Sequence, residues 1–123
     1  MLKMSAIILE MAVRVLGQPS EKTSPEGVAA ALLLAHVAWT RAVDPRVGDQ
    51  IGEYRKVLKR LAESNPNFVR ELKSPDIEAL IQELAELKLA LHPTDDRIIY
   101  LCGLTERRTV RVEWRRRGIE GVN

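Results

Sequence analysis

The chain has 123 residues, 46% hydrophobic and 29% charged, which is the make-up of one globular domain with a real core and excludes a disordered segment. Aromatics are only 4% (Trp39, Trp114, Tyr54, Tyr100 and Phe68), so the core must be aliphatic, and sites built on stacking platforms for sugars or single-stranded bases are disfavoured. The net charge of +2 hides an uneven distribution: residues 66–96 carry net −4, whereas 97–123 carry seven arginines, no lysine and three glutamates, net +4.

The single cysteine, Cys102, excludes an internal disulfide and gives no sign of an oxidising compartment. Near the N-terminus, Glu10 and Arg14 interrupt the apolar stretch from Ala6 to Leu16, which argues against a signal peptide. Met4-Ser5-Ala6 offers an alternative start to Met1. The apolar run from Val28 to Trp39 is too short to span a bilayer and reads as a buried helix. The expectation is a cytoplasmic protein with no membrane partner.

A capping residue precedes proline four times, at Ser24-Pro25, Asp44-Pro45, Asn65-Pro66 and Ser74-Pro75. Each pair ends one helix and starts the next, because the residue before proline avoids the α region and proline suits the first helical position. Five helices follow. The first, Met4 to Leu16, is apolar around most of its circumference. The second, Pro25 to Val43, is more apolar still and reads as the central core helix.

The third helix, Pro45 to Ser64, aligns Val47, Ile51, Tyr54, Leu58 and Leu61 in one seam, with Arg55, Lys56, Lys59 and Arg60 outside. A short fourth helix, Pro66 to Leu72, buries Phe68, Val69 and Leu72. The fifth, Pro75 to Leu91, repeats Ile77, Leu80, Leu84, Leu87 and Leu91 inside and shows Glu78, Glu83 and Glu86 outside. The basic third and acidic fifth helices would pair with charges meeting at their rim.

After His92-Pro93 the period becomes that of strands: Arg97 to Leu104 is an apolar run, and Thr109 to Arg115 alternates strictly. The fold class is therefore α+β and mostly α, a bundle-like core of four to five helices with a C-terminal antiparallel hairpin at 97–115. The domain covers 1–117, and the tail 118–123 is expected to be loose. No third strand is expected. With Leu104 taken opposite Thr109, Ile99, Leu101 and Gly103 face the helices with Val110, Val112 and Trp114. Ile98, Tyr100, Cys102 and Leu104 then form an apolar outer surface.

An isolated hairpin is marginal and leaves two edges unpaired, so either a copy of the chain packs on Ile98, Tyr100, Cys102 and Leu104, or helices sandwich the first strand. The first option implies a homodimer. The arginines 107, 108, 111, 115, 116 and 117 form the second expected contact surface, toward an acidic protein or a nucleic-acid backbone. A winged-helix mode of DNA binding fails on charge, because its recognition helix would present Asp76, Glu78, Glu83 and Glu86 to phosphates.

Catalysis is not expected. His36 lies within the apolar second helix as a hydrogen-bonded core residue, and His92 caps the end of a helix. Cys102 reads as a small buried hydrophobe. Two histidines and one cysteine give no zinc-ligand spacing, and the row Glu78, Gln82, Glu86 reads as a solvated face. No glycine-rich phosphate loop occurs, and no cofactor or metal is expected. The expected function is that of a small interaction, structural or regulatory protein.

Overall fold

The computed structural model describes residues 3–17, 23–44 and 54–115 with their side chains, and the backbone of 116 and 119–122. The architecture is α+β: helices α1 (Met4–Val13), α2 (Pro25–Val43), α3 (Tyr54–Ser64) and α4 (Ile77–Leu91), then strands β1 (Ile98–Leu104), β2 (Val110–Arg116) and β3 (Ile119–Val122). α2 is the hub, touched by α1, α3, α4 and β1. Its Ala30, Ala31, Leu32, Leu34, Ala35, Val37, Ala38 and Trp39 are entirely buried. By length and composition alone α2 is long and apolar enough to cross a membrane, and 61% of its apolar window is buried within this fold.

The cap–proline signals resolve differently along the chain. Ser24 caps α2, its Oγ accepting the Gly27 N–H at 3.0 Å. Asp44 ends α2 by donating its N–H to Thr40 O at 2.8 Å, while the expected helix start at Pro45 and the seam positions Val47 and Ile51 lie outside the described residues. Asn65 Oδ1 accepts the Asn67 N–H at 3.1 Å, a local turn that leads into a 3-10 turn at Phe68–Glu71 rather than the α-helix expected from Pro66. Ser74 makes the same kind of turn toward Asp76, and Asp76 caps α4 by accepting the Ala79 N–H at 3.1 Å. The start shifts from Pro75 to Ile77 because a carboxylate at the N-cap also meets the positive end of the helix dipole.

α1 ends at Val13, short of the expected Leu16, because the chain beyond it pairs with a distant segment. Leu16 bridges Leu72, the Gly17 N–H donates to Glu71 O at 2.9 Å, and the Lys73 N–H donates to Val15 O at 2.8 Å. This clasp delivers the Glu71 carboxylate to the N-terminus of α2, where it accepts from Ser24 N–H at 2.8 Å and Ser24 Oγ at 2.5 Å. Gly27 leaves room for this carboxylate, since a Cβ there would stand 2.1 Å from Glu71 Oε2 and displace it.

The sheet has three antiparallel strands in the order β1-β2-β3 where no third was expected: within the tail read as loose, the backbone of Ile119–Val122 pairs with Glu113 to Arg116, and residues 118 and 123 lie outside the described residues. The assumed hairpin register is also corrected. Thr105 and Thr109 close the turn, with the Thr105 N–H donating to Thr109 O at 2.9 Å, so Leu104 pairs with Val110, Gly103 with Arg111 and Cys102 with Val112. A bulge between Ile99 and Leu101 leaves Tyr100 unpaired and sets Ile99 opposite Trp114.

Strict alternation would have turned Tyr100 into the core; the bulge substitutes Ile99, which is 2% exposed. The inner face is thus Leu104, Cys102 and Ile99 beside Val110, Val112 and Trp114, all in the core or packed against it. Cys102 and Leu104, expected outside, face the helices. Ile98, opposite Arg115, and the bulged Tyr100 remain on the outer side, joined by Leu101, which had been expected inside.

Polar anchors hold the start of the hairpin on the helices. The Trp39 indole N–H donates to Arg97 O at 2.7 Å, and His36 Nε2 meets Ile99 O at 2.9 Å. Lys88 is 2% exposed; its ammonium donates to His92 O and Asp95 O, both at 2.7 Å, and lies 5.0 Å from the centre of the Trp39 ring. Arg97, also 2% exposed, holds both oxygens of Asp95 and stacks over Trp114.

Candidate interaction surface

The basic C-terminal segment does not fold into one patch. Arg97 is withdrawn into the core against Asp95. Arg111 and Arg115 stand on the outer face of the sheet, the first bound to Glu113 at 2.6 Å and the second 5.1 Å over the Tyr100 ring. Arg107 and Arg108 occupy the exposed hairpin turn, and among the described residues no carboxylate pairs with either. Arg116 belongs to β2 through its backbone, and Arg117 lies outside the described residues.

The outer face of the sheet is therefore a mixed surface. Along β1 it shows Ile98, the bulged Tyr100, Leu101 and Gly103; along β2 it shows Arg111, Glu113 and Arg115. Tyr100 and Leu101 are each 42% exposed, although every apolar residue of the inner face is buried or partly buried. Sequence reasoning missed Leu101 because it set Leu104 opposite Thr109; pairing Leu104 with Val110 turns Leu101 outward. The bulge had one available signal, and it was chemical: an inward Tyr100 needs a buried partner for its hydroxyl, and the core is mainly aliphatic.

The acidic side of α4 is largely engaged within the chain. Glu78 accepts from Tyr54 OH, from Arg41 at 3.1 Å and from Arg55 at 3.1 Å; of the charge contacts expected between the basic third helix and the acidic one, the Arg55 pair is formed, while α3 packs chiefly on α2. The Tyr54 hydroxyl, with the two guanidinium groups, holds the Glu78 carboxyl down at about 2. Glu83 binds Lys73, and Glu86 accepts from Gln82 at 3.2 Å. Lys88, the one basic residue of α4, points inward.

The groups weighed for catalysis are held in resting roles. A carbonyl only accepts, so His36 Nε2 carries its proton toward Ile99 O, and burial pushes the imidazole pKa down, favouring the neutral ring. His92 is the C-cap of α4, its N–H donating to Lys88 O at 2.8 Å, with its ring centre 6.0 Å from that of Trp39. Burial pushes the Cys102 thiol up to about 12, and its Sγ–H points at Leu32 O at 3.8 Å, so no thiolate forms near neutral pH. Among the described residues no three His, Cys, Asp or Glu side chains gather as metal ligands.

Compared with protein families, with curated proteins and with solved structures, the chain matches none, so its own residues carry the functional reading.

Proposed function

We propose that the chain is a non-enzymatic interaction module that pairs with a second copy of itself through the outer face of its sheet. One observation carries this reading: Tyr100 and Leu101 lie side by side, each 42% exposed, on a face flanked by Arg111 and Arg115. Tyrosine and arginine dominate the energetics of protein interfaces, where lysine is depleted, and closed two-fold pairs are the commonest assemblies. The third strand pairs one edge of the hairpin, so the open face and not the bare edge supports association. The protonated thiol and donated imidazole support the non-enzymatic part of the reading. Light scattering at tens of micromolar tests it: a mass of twice 13.9 kDa supports the pair, and a single-chain mass overturns it.

A second reading has its own observation. Arg107 and Arg108 lack carboxylate partners among the described residues and occupy the exposed turn of the hairpin whose outer face carries Arg111 and Arg115. Such an array would grip a nucleic-acid backbone, with affinity falling steeply as salt rises. Fluorescence anisotropy with labelled RNA and DNA separates the two. Tight, salt-sensitive binding abolished by Arg107→Ala with Arg108→Ala favours nucleic acid, and no binding at low salt removes that reading.

A further inference from the structure

A groove of about 400 Å³ lies between α1, the first turn of α2 and the hairpin turn, apart from the outer sheet face. Leu9, Val28, Leu104 and Val110 make it apolar, Ala6 lines it from α1, and Arg108 stands at its rim. Its volume falls within the range of roughly 300–1,000 Å³ typical of small-molecule sites.

Arg108 has a backbone φ of 60°, the left-handed conformation that the fourth position of this turn demands, with its N–H donating to Thr105 O at 2.9 Å. Glycine or asparagine meets that demand at least cost, and arginine is disfavoured there. What arginine supplies is a side chain. Arg97 and Arg111 are bound to carboxylates and Arg115 is stacked on Tyr100, whereas the Arg108 guanidinium has no acidic partner among the described residues. Glu10, next to Leu9 in sequence, is already taken by Arg14 at 3.8 Å.

We propose that this groove binds a single-chain aliphatic carboxylate, its tail on Leu9, Val28, Leu104 and Val110 and its carboxylate accepting hydrogen bonds from Arg108. An open apolar groove lined by one cation complements one apolar tail with one negative head. A neutral lipid would leave the guanidinium unanswered, and a polyanion would find no use for the apolar floor. This site does not depend on self-association through Tyr100 and Leu101.

Calorimetric titration of the full chain with hexanoate, octanoate and octan-1-ol tests the assignment. Octanoate should bind about five- to fifteen-fold more tightly than hexanoate, the ratio for two further buried methylenes. It should also bind about ten-fold more tightly than octan-1-ol, which lacks the charge. Arg108→Gly relaxes the backbone and so keeps the turn, yet should weaken octanoate about ten-fold; Ala6→Phe should fill the groove and abolish binding, with helical circular dichroism unchanged. Arg107→Ala and Leu101→Arg should leave the affinity within two-fold. No saturable octanoate binding, equal affinity for octan-1-ol, or an unaffected Arg108→Gly variant would each overturn the proposal.

Discussion

Replacing Gly27 by alanine would ordinarily strengthen a helix, by up to about 1 kcal/mol. Here the added Cβ would stand 2.1 Å from Glu71 Oε2 and 3.0 Å from its Cδ, so the carboxylate must leave the N-terminus of α2. Its departure removes the hydrogen bonds from Ser24 N–H and Ser24 Oγ, at 2.8 and 2.5 Å. Bonds to a charged group contribute about 1.5–3 kcal/mol each, but both partners are partly exposed and regain water, so the joint loss is about 2–3 kcal/mol. Gly27→Ala should therefore destabilise by about 1–2 kcal/mol, the helix gain offsetting part of the loss.

Glu71→Ala alone should cost about 2–3 kcal/mol by the same reasoning. In that background the steric conflict is gone, so adding Gly27→Ala should stabilise by up to about 1 kcal/mol, and the sign of one substitution reverses. Urea unfolding followed by helical circular dichroism measures all four corners of the cycle. A double variant destabilised by the sum of the single ones, roughly 3–5 kcal/mol, would refute the contact between Gly27 and Glu71 as the cause.

Two further outcomes follow from the polar anchors. Lys88→Met keeps the volume but takes the ammonium from the partly buried carbonyls of Asp95 and of His92, the latter keeping only the Asp95 N–H at 3.3 Å, and should lower unfolding stability by about 1–3 kcal/mol; an unchanged urea midpoint would contradict the anchoring role. Glu78 has its carboxyl pKa lowered from 4.5 to about 2, chiefly by the Tyr54 hydroxyl. Its contribution is therefore complete above about pH 4.5 and is lost as pH falls toward 2, so Glu78→Gln should flatten the acid limb of stability against pH in that window. An identical acid limb in the variant would argue against the pairing.

The helical half of the fold was legible because its signals are local. The period of α4 and the apolar run of α2 mark their buried sides, and Ser24-Pro25 marks a start that the N-cap hydrogen bond confirms. Where two caps compete within three residues, as at Ser74 and Asp76, pattern alone does not rank them, and the start moved. The hairpin was less legible because its register depends on one residue. A left-handed Arg108 is not signalled by an arginine in the sequence, and the bulge at Tyr100 is set by what the core can accept. The turn moved Cys102 and Leu104 inward and Leu101 outward, and the bulge kept Tyr100 outside with Ile99 in its place. Lys88 and Arg97 are invisible as core residues for a related reason: counting charge treats every cation as solvated, whereas these two lie against carbonyls, Asp95 and tryptophan rings.

The central claim is association through the outer sheet face, and sedimentation equilibrium of the native chain beside Leu101→Arg tests it most directly. Leu101 is 42% exposed, so the arginine is tolerated by the fold yet places like charges across a two-fold contact. The native chain should sediment at twice 13.9 kDa and the variant at 13.9 kDa, with unchanged helical circular dichroism. Equal masses for the two proteins, whether both single or both paired, would contradict a contact centred on Tyr100 and Leu101.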